Sequence, residues 1–254
     1  MSKKISPLDR AAEELTARAD TISKGRLGSD SFCEVSHCLD TEVIGAFPQA
    51  TPPTPGGDFI DDGYLYFDRF PEPAGDPIKL HLKHGAILTD VLSSTTHLLC
   101  FLVSPRALEV FNRFNLGNVR FYEAVVTGNE NDKLRYTYIF LCNHITSNDI
   151  DFARSECFLV DMISQPIGEI AVANNNDYLD KREKARAGSL PDSEPFCRIA
   201  IGKVQLLPGH KPQADIFGIS DIDTRIYAST ALRDALLEAE ITGLEFGENS
   251  RLFL

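Results

Sequence analysis

Nothing in these 254 residues matches a G-x-G-x-x-G fingerprint, a P-loop, an H-E-x-x-H helix or a G-x-S-x-G elbow. Four large enzyme classes thereby lose their usual signature. The chain has no run of eighteen apolar residues, and its first twenty, MSKKISPLDRAAEELTARAD, carry two lysines with no apolar stretch behind them. Neither a spanning helix nor a secretory signal is expected. Positive charge is short: 25 Lys and Arg stand against 37 Asp and Glu, a net charge of −12 with a pI near 4.9. Such a field repels phosphate backbones and draws in basic partners, so a basic protein is the expected partner and nucleic acid is not. Six cysteines in so long a chain fall short of a disulfide framework. Cys100 and Cys142 sit inside the apolar runs HLLCFLV and YIFLCNH, where a thiol acts as a small buried hydrophobe. A reducing cytoplasm is the expected compartment.

What remains is ordinary globular material. With 43% hydrophobic and 24% charged residues the chain is far from the signature of disorder, and one globular unit is expected. Residues 7–22 read as a short Ala-rich helix, FPQATPPTPGGD (47–58) as a loop, and YLYFDRF (64–70) as a strand. THLLCFLVS then gives a buried strand. Ser104 offers an N-cap hydroxyl and Pro105 the preset φ of a first helical residue. Ala107, Leu108, Phe111 and Phe114 continue at helical spacing until NLGN stops them, and VRFYEAVV reads as a strand.

The same plan returns near the C-terminus. Ile226 and Tyr227 have strand character, Ser229 is the cap, and Ala231, Leu232, Ala235, Leu236 and Ala239 form a helix face. Counted from each serine, Phe111 matches Leu236, Leu116 matches Ile241, Val119 matches Leu244 and Phe121 matches Phe246. Two strand, capped helix, strand modules are therefore expected. Between them LRYTYIFLCNHI, ECFLVDMI and FCRIAIGKVQLL read as strands, the Asn174 to Asp177 run as a turn, and YLDKREKARAG as a short exposed helix ending at Gly188. Strands outnumber helices without βαβ alternation, so the expected class is α+β with a mixed or antiparallel sheet.

Few residues offer chemistry. Cys33, His37 and Cys38 in CEVSHC lack the second ligand pair of a zinc site, and no metal or cofactor is expected. HLKH alternates poorly for a strand, so His81 and His84 read as surface or loop histidines. Cys142 or Cys157 with His144 gives a possible nucleophile pair, yet Cys142 and His144 on one strand face read as packing. Asp149 and Asp151 in SNDIDFARSE would point the same way from a strand, as acid/base work prefers; a capping role for Asp and Ser is the favoured reading.

With LVSPRALEVFNRFNLGNVRFYEAVV, NDIDFARSE and DIFGISDIDTRIYASTALRDALLEAEITGLEF in view, the chain from about Ile87 to Phe246 resembles a family of bacterial immunity proteins from polymorphic toxin systems. Its members show a serine-led helix followed by a strand, a central Asp with a nearby Ser, and a closing element that Ile241, Thr242, Gly243, Leu244 and Phe246 reproduce. Residues 1–86 carry nothing assignable to that family. The resemblance implies a cytoplasmic inhibitor that binds and blocks a cognate toxin by occlusion, with no catalytic, cofactor or metal residue. The alternative is an enzyme using the His144, Asp149 and Asp151 neighbourhood.

Overall fold

The computed structural model describes residues 31–53, 70–94, 100–128, 132–142, 144–219, 225–247 and 252–254. The expected helix at 7–22 lies outside them, as do the strand at 64–70, apart from Phe70, and positions 54–58 of the proline-rich loop.

The described chain begins with β1 (Phe32–His37), a one-turn helix α1 (Thr41–Ile44), β2 (Ala50–Thr51) and β3 (Ile78–Leu82). There follow β4 (Val91–Leu92), β5 (Cys100–Val103), helix α2 (Pro105–Phe111), β6 (Val119–Thr127) and β7 (Lys133–Leu141). Six of these strands form one sheet in the order β2-β3-β6-β7-β5-β4. Its ends meet: Ala50 bridges Ser94 in parallel, and the Ala50 amide donates to the Ser93 carbonyl (2.9 Å). A small closed barrel results, which leaves neither end of the sheet as an open edge. Alternation along the strands sends Ile78, Leu80, Leu102, Tyr122, Ala124, Val126, Tyr138 and Phe140 inward as one core. Phe101, Val103, Ile139 and Leu141 face the other way, into a second core beneath α2. His81 is at the surface as expected, but the expectation against a strand is corrected: it belongs to β3, on the strand's exposed face.

Beyond β7 come β8 (His144–Ile145), 3₁₀ turns at Ser147–Asp149 and Phe152–Arg154, β9 (Glu156–Val160), β10 (Pro166–Glu169), helix α3 (Asn175–Arg186) and β11 (Arg198–Gln205). The chain closes with β12 (Ile216–Ile219), β13 (Ile226–Ser229), helix α4 (Thr230–Glu238), β14 (Leu244–Phe246) and β15 (Leu252–Phe253). These strands build sheets β14-β1-β13-β12-β8 and β10-β9-β11-β15, and a third core, including Phe152, Tyr178, Ile199, Phe217 and Tyr227, lies between them and α3. The class is α+β with mixed sheets. No helix among the described residues is long and apolar enough to cross a membrane.

Both modules are present, and the second core joins them. Ser104 Oγ accepts from the Ala107 amide (3.2 Å) and Ser229 Oγ from the Leu232 amide (3.1 Å), each satisfying an orphan donor of its helix. The N1 proline of α2 needs no such partner. Ala107, Val110 and Phe111 bury one face of α2; Leu232 and Leu236 bury the matching face of α4 against it. Helix α2 ends at Phe111, one turn earlier than the apolar spacing indicates, yet Phe114 still reaches the core from the turn beyond.

The correspondence extends past the helices. The two serines are 125 residues apart (229 minus 104), and the same offset carries Asp90 onto Asp215. Each serine amide donates to the carbonyl of its own aspartate, 2.7 Å in both cases. Each aspartate side chain then holds the other module: Asp90 Oδ2 accepts from the Thr242 amide (3.1 Å), and Asp215 Oδ2 from the Asn115 amide (2.9 Å). Sheet order repeats as well, β6-β7-β5-β4 against β14-β1-β13-β12. Ile139 pairs with Phe101 and Phe121, as Val35 pairs with Ile226 and Phe246. Strand β1, from the N-terminal part of the chain, thus fills the place in the second module that β7 fills in the first.

Candidate docking surface

The residues singled out for chemistry serve the fold. Asp149 Oδ2 accepts from the Thr146 amide and hydroxyl (2.8 Å each) in a capping box, while its Oδ1 meets His210 Nδ1 at 2.9 Å. The capping reading is the one observed for Asp149, whereas the Asp151 side chain makes no cap hydrogen bond. Asp151 precedes the next 3₁₀ turn, where its carbonyl accepts from Ser155 Oγ (2.8 Å) and its amide donates to the Gln205 carbonyl (2.8 Å). The expected strand through Cys142 and His144 is interrupted: β7 ends at Leu141, and His144 begins β8, parallel to β12 in the other sheet. Cys142 packs instead against the barrel core. Burial pushes the Cys157 thiol up to about 11, the opposite of an activated nucleophile. Cys33 and His37 share a face of β1, and Cys38 lies beyond its end. Among the described residues no three Cys, His, Asp or Glu side chains converge as metal ligands would.

A different feature stands out on the surface. Leu39 is 60% exposed, Val43 41%, Phe47 50%, Ile87 47% and Leu88 46%. They occupy two neighbouring segments, 39–47 around α1 and 86–89 before β4, which are hydrogen-bonded together. The Ile87 amide donates to the Ile44 carbonyl (2.8 Å), and Lys83 Nζ donates to the Phe47 carbonyl (3.1 Å). Grouped apolar side chains of this size on a monomer's surface mark an interaction site more often than isolated ones do. Asp40, Glu42 and Glu245 are exposed around the group, and Lys83 touches it at the Phe47 carbonyl.

The framework beneath is stiff. Gln49 is buried, and its amide reaches the Ile87 carbonyl (2.7 Å) and Thr89 Oγ1 (3.0 Å) while its Oε1 accepts from the Ser93 amide (3.0 Å). Tyr136 donates its hydroxyl to the Thr89 carbonyl (2.7 Å). Asp40 caps α1 through the Glu42 amide (2.9 Å), and Glu245 Oε1 accepts from the Leu39 amide (3.0 Å). Gly45 closes α1 at φ 73 with its amide on the Thr41 carbonyl (2.9 Å); a Cβ there would overlap the Gly85 carbonyl oxygen, so only glycine lets the two segments meet. A surface so fixed loses little entropy when a partner covers it.

Electrostatics tie the surface to the junction between modules. Burial raises the Asp90 carboxyl, but hydrogen bonds from Arg106, the Thr242 amide, Ser104 and the Thr242 hydroxyl outweigh it and hold the group at about 2. Asp90 therefore stays ionised and keeps the 89–91 segment clasped to Thr242, with the Val91 amide donating to the Thr242 carbonyl (3.0 Å).

None of the five apolar residues was singled out as a contact by sequence reading. Their one signal is that LDTEVIGAFPQ and HGAILTD carry apolar residues with neither helical nor strand period. A comparison with protein-family models finds no family that matches, and a comparison with curated proteins finds no relative.

Proposed function

We propose that this chain is an immunity-type inhibitor: it binds a basic cognate toxin in the cytoplasm and neutralises it by occlusion, without catalysis. The observation that carries the reading is the rigid apolar group of Leu39, Val43, Phe47, Ile87 and Leu88 with Asp40, Glu42 and Glu245 around it. Such a surface combines the two needs of an inhibitor. Apolar anchors, an aromatic among them, supply affinity at the desolvated centre. Acidic neighbours and a net charge of −12 speed capture of a positively charged target and reject acidic ones. The resemblance to immunity proteins in LVSPRALEVF and ITGLEF supports the same reading, because those segments form the module junction on which the surface rests.

The experiment is co-expression with the toxin domain encoded by the adjacent gene. Growth is restored when the chain is present, and Phe47→Asp with Leu88→Asp abolishes the rescue while the variant stays folded. Unchanged toxicity with the parent chain would exclude the proposal. The enzymatic alternative, expected around His144, Asp149 and Asp151, has one observation in its favour, with a different histidine: Asp149 meets His210 at 2.9 Å. Under occlusion His210→Ala protects as well as the parent; under catalysis it does not.

A further inference from the structure

A second surface, on α3 and the sheet β10-β9-β11-β15, carries the opposite charge. A groove of about 380 Å³ runs between α3 and the start of β11, lined by Arg182, Glu183, Arg186, Phe196, Cys197 and Arg198. Three guanidinium groups face one carboxylate on a chain whose net charge is −12. Helical spacing explains two of them, since Arg182 and Arg186 stand four residues apart on one side of α3. Arg182 is steadied over the Tyr178 ring (5.7 Å) and reaches Glu183 only at 3.8 Å. The Arg186 guanidinium has no hydrogen-bond or ion-pair partner among the described residues, so its charge is available.

Phe196 makes the groove more than a cluster of charge. It is 66% exposed and held at φ 70, so an aromatic side chain is displayed against both its burial preference and its backbone preference. Its amide donates to the Arg186 carbonyl (2.9 Å), which fixes the ring's backbone to the end of α3. Strain of this kind persists where the surroundings impose it, and it gathers at binding sites. Arg198 extends the surface by donating to Ser164 Oγ at the tip of the β9–β10 hairpin. There Met162 (71%) and Ile163 (76%) are the most exposed large apolar side chains described. Asp161 Oδ1 holds this tip by accepting from the Ile163 and Gln165 amides (2.9 and 2.8 Å).

We infer that this groove and hairpin tip form a second docking surface, for a protein segment in which carboxylate side chains alternate with apolar ones. Arginine, phenylalanine and methionine are the residue types that interface centres favour. A guanidinium grips a carboxylate bidentately, and the apolar tip gives the neighbouring side chains a place to lie. An open Arg186 on the surface that Arg198 carries through Ser164 to exposed Met162 and Ile163 fits an extended polypeptide better than a small anion, which would leave those apolar side chains in water. The surface is independent of the one proposed for the toxin, and its chemistry excludes a basic occupant.

The test uses the full chain, ¹⁵N-labelled, with three probes: a twelve-residue peptide carrying four glutamates and two leucines among glycine and serine, its lysine counterpart, and inorganic pyrophosphate. The glutamate peptide is expected to shift amides of residues 162–164 and 182–198 saturably, and added salt weakens the effect. Arg186→Glu lowers that affinity at least tenfold with the rest of the spectrum unchanged, whereas Arg186→Lys keeps part of it. Phe47→Asp, in the other surface, leaves it intact. Absence of shifts in these residues, equal shifts with the lysine peptide, or shifts with pyrophosphate but not with the glutamate peptide would each overturn the proposal.

Discussion

Exchanging Asp90 for Asn should unclasp the two modules by a measurable amount. Moving the carboxyl from 3.8 to about 2 corresponds to about 2.5 kcal/mol, at about 1.4 kcal/mol per pH unit. The Asp90 side chain is 12% exposed but that of Arg106 is 54%, so the ion pair is screened and about 1.5 kcal/mol is expected. Asp90→Ala should cost more, about 2 to 3 kcal/mol, because the Thr242 amide and the Ser104 hydroxyl lose an acceptor. The pH dependence has a definite sign. A carboxyl whose folded value is depressed stabilises fully above its unfolded value and loses that contribution as pH falls toward the folded one. The gap between parent and Asn variant is thus constant from pH 5 to 8, shrinks below about 4, and retains roughly half its size at pH 3. Urea unfolding followed by far-UV circular dichroism reads it directly, the chain having no tryptophan for fluorescence. Identical midpoints at pH 7, or a gap that does not shrink by pH 3, would refute the clasp.

Other outcomes follow from the same geometry. Gly243 sits at φ 91 where a Cβ would overlap the Val91 carbonyl, whereas Gly85 at φ 81 has open space around it. Gly243→Ala should therefore cost about 3 kcal/mol or more and Gly85→Ala about 1, compared in the same urea assay. His37 lies against Phe101 (ring centroids 5.3 Å) and burial lowers it to about 4. Stability from keeping it neutral is full above about pH 6.5 and falls as pH drops toward 4. His37→Leu, which installs the residue found at the matching position, Leu141, should flatten that slope in melts between pH 7 and 4.5. Five of the six thiols are buried and all six are free, so Ellman's reagent should titrate at most Cys142 before unfolding; rapid reaction of Cys157 would revive a nucleophile.

Local signals carried the modules. Ser104-Pro105 and Ser229 each combine a side-chain acceptor with an apolar face behind it, and both helices start where those residues place them. The Asp90–Asp215 match leaves no local trace, because each aspartate lies in a stretch without period, fourteen residues before its serine, and its partner belongs to the opposite module. The role of β1 rests on pairing across almost two hundred residues, as in Cys33 with Ala228, which no local pattern records. The Asn174 to Asp177 run predicts a turn, yet Asn174 caps α3, since the side chain that closes an Asx turn equally satisfies a helix amide, here that of Asp177 at 3.1 Å. That helix also buries Tyr178 and Ala185, so it is less exposed than its charged sequence implied. The docking surface was illegible for a simpler reason. Apolar residues in loops look like core until burial shows which of them face solvent.

The most direct test is calorimetry of the purified chain with the toxin domain encoded beside it, repeated with the Phe47→Ala variant. A one-to-one complex is expected, weakened by salt, with Phe47→Ala costing about 2 kcal/mol, or roughly thirtyfold in Kd. A toxin domain that gives no heat and does not co-elute with the chain, or one that binds the variant as tightly as the parent, would contradict inhibition through this surface.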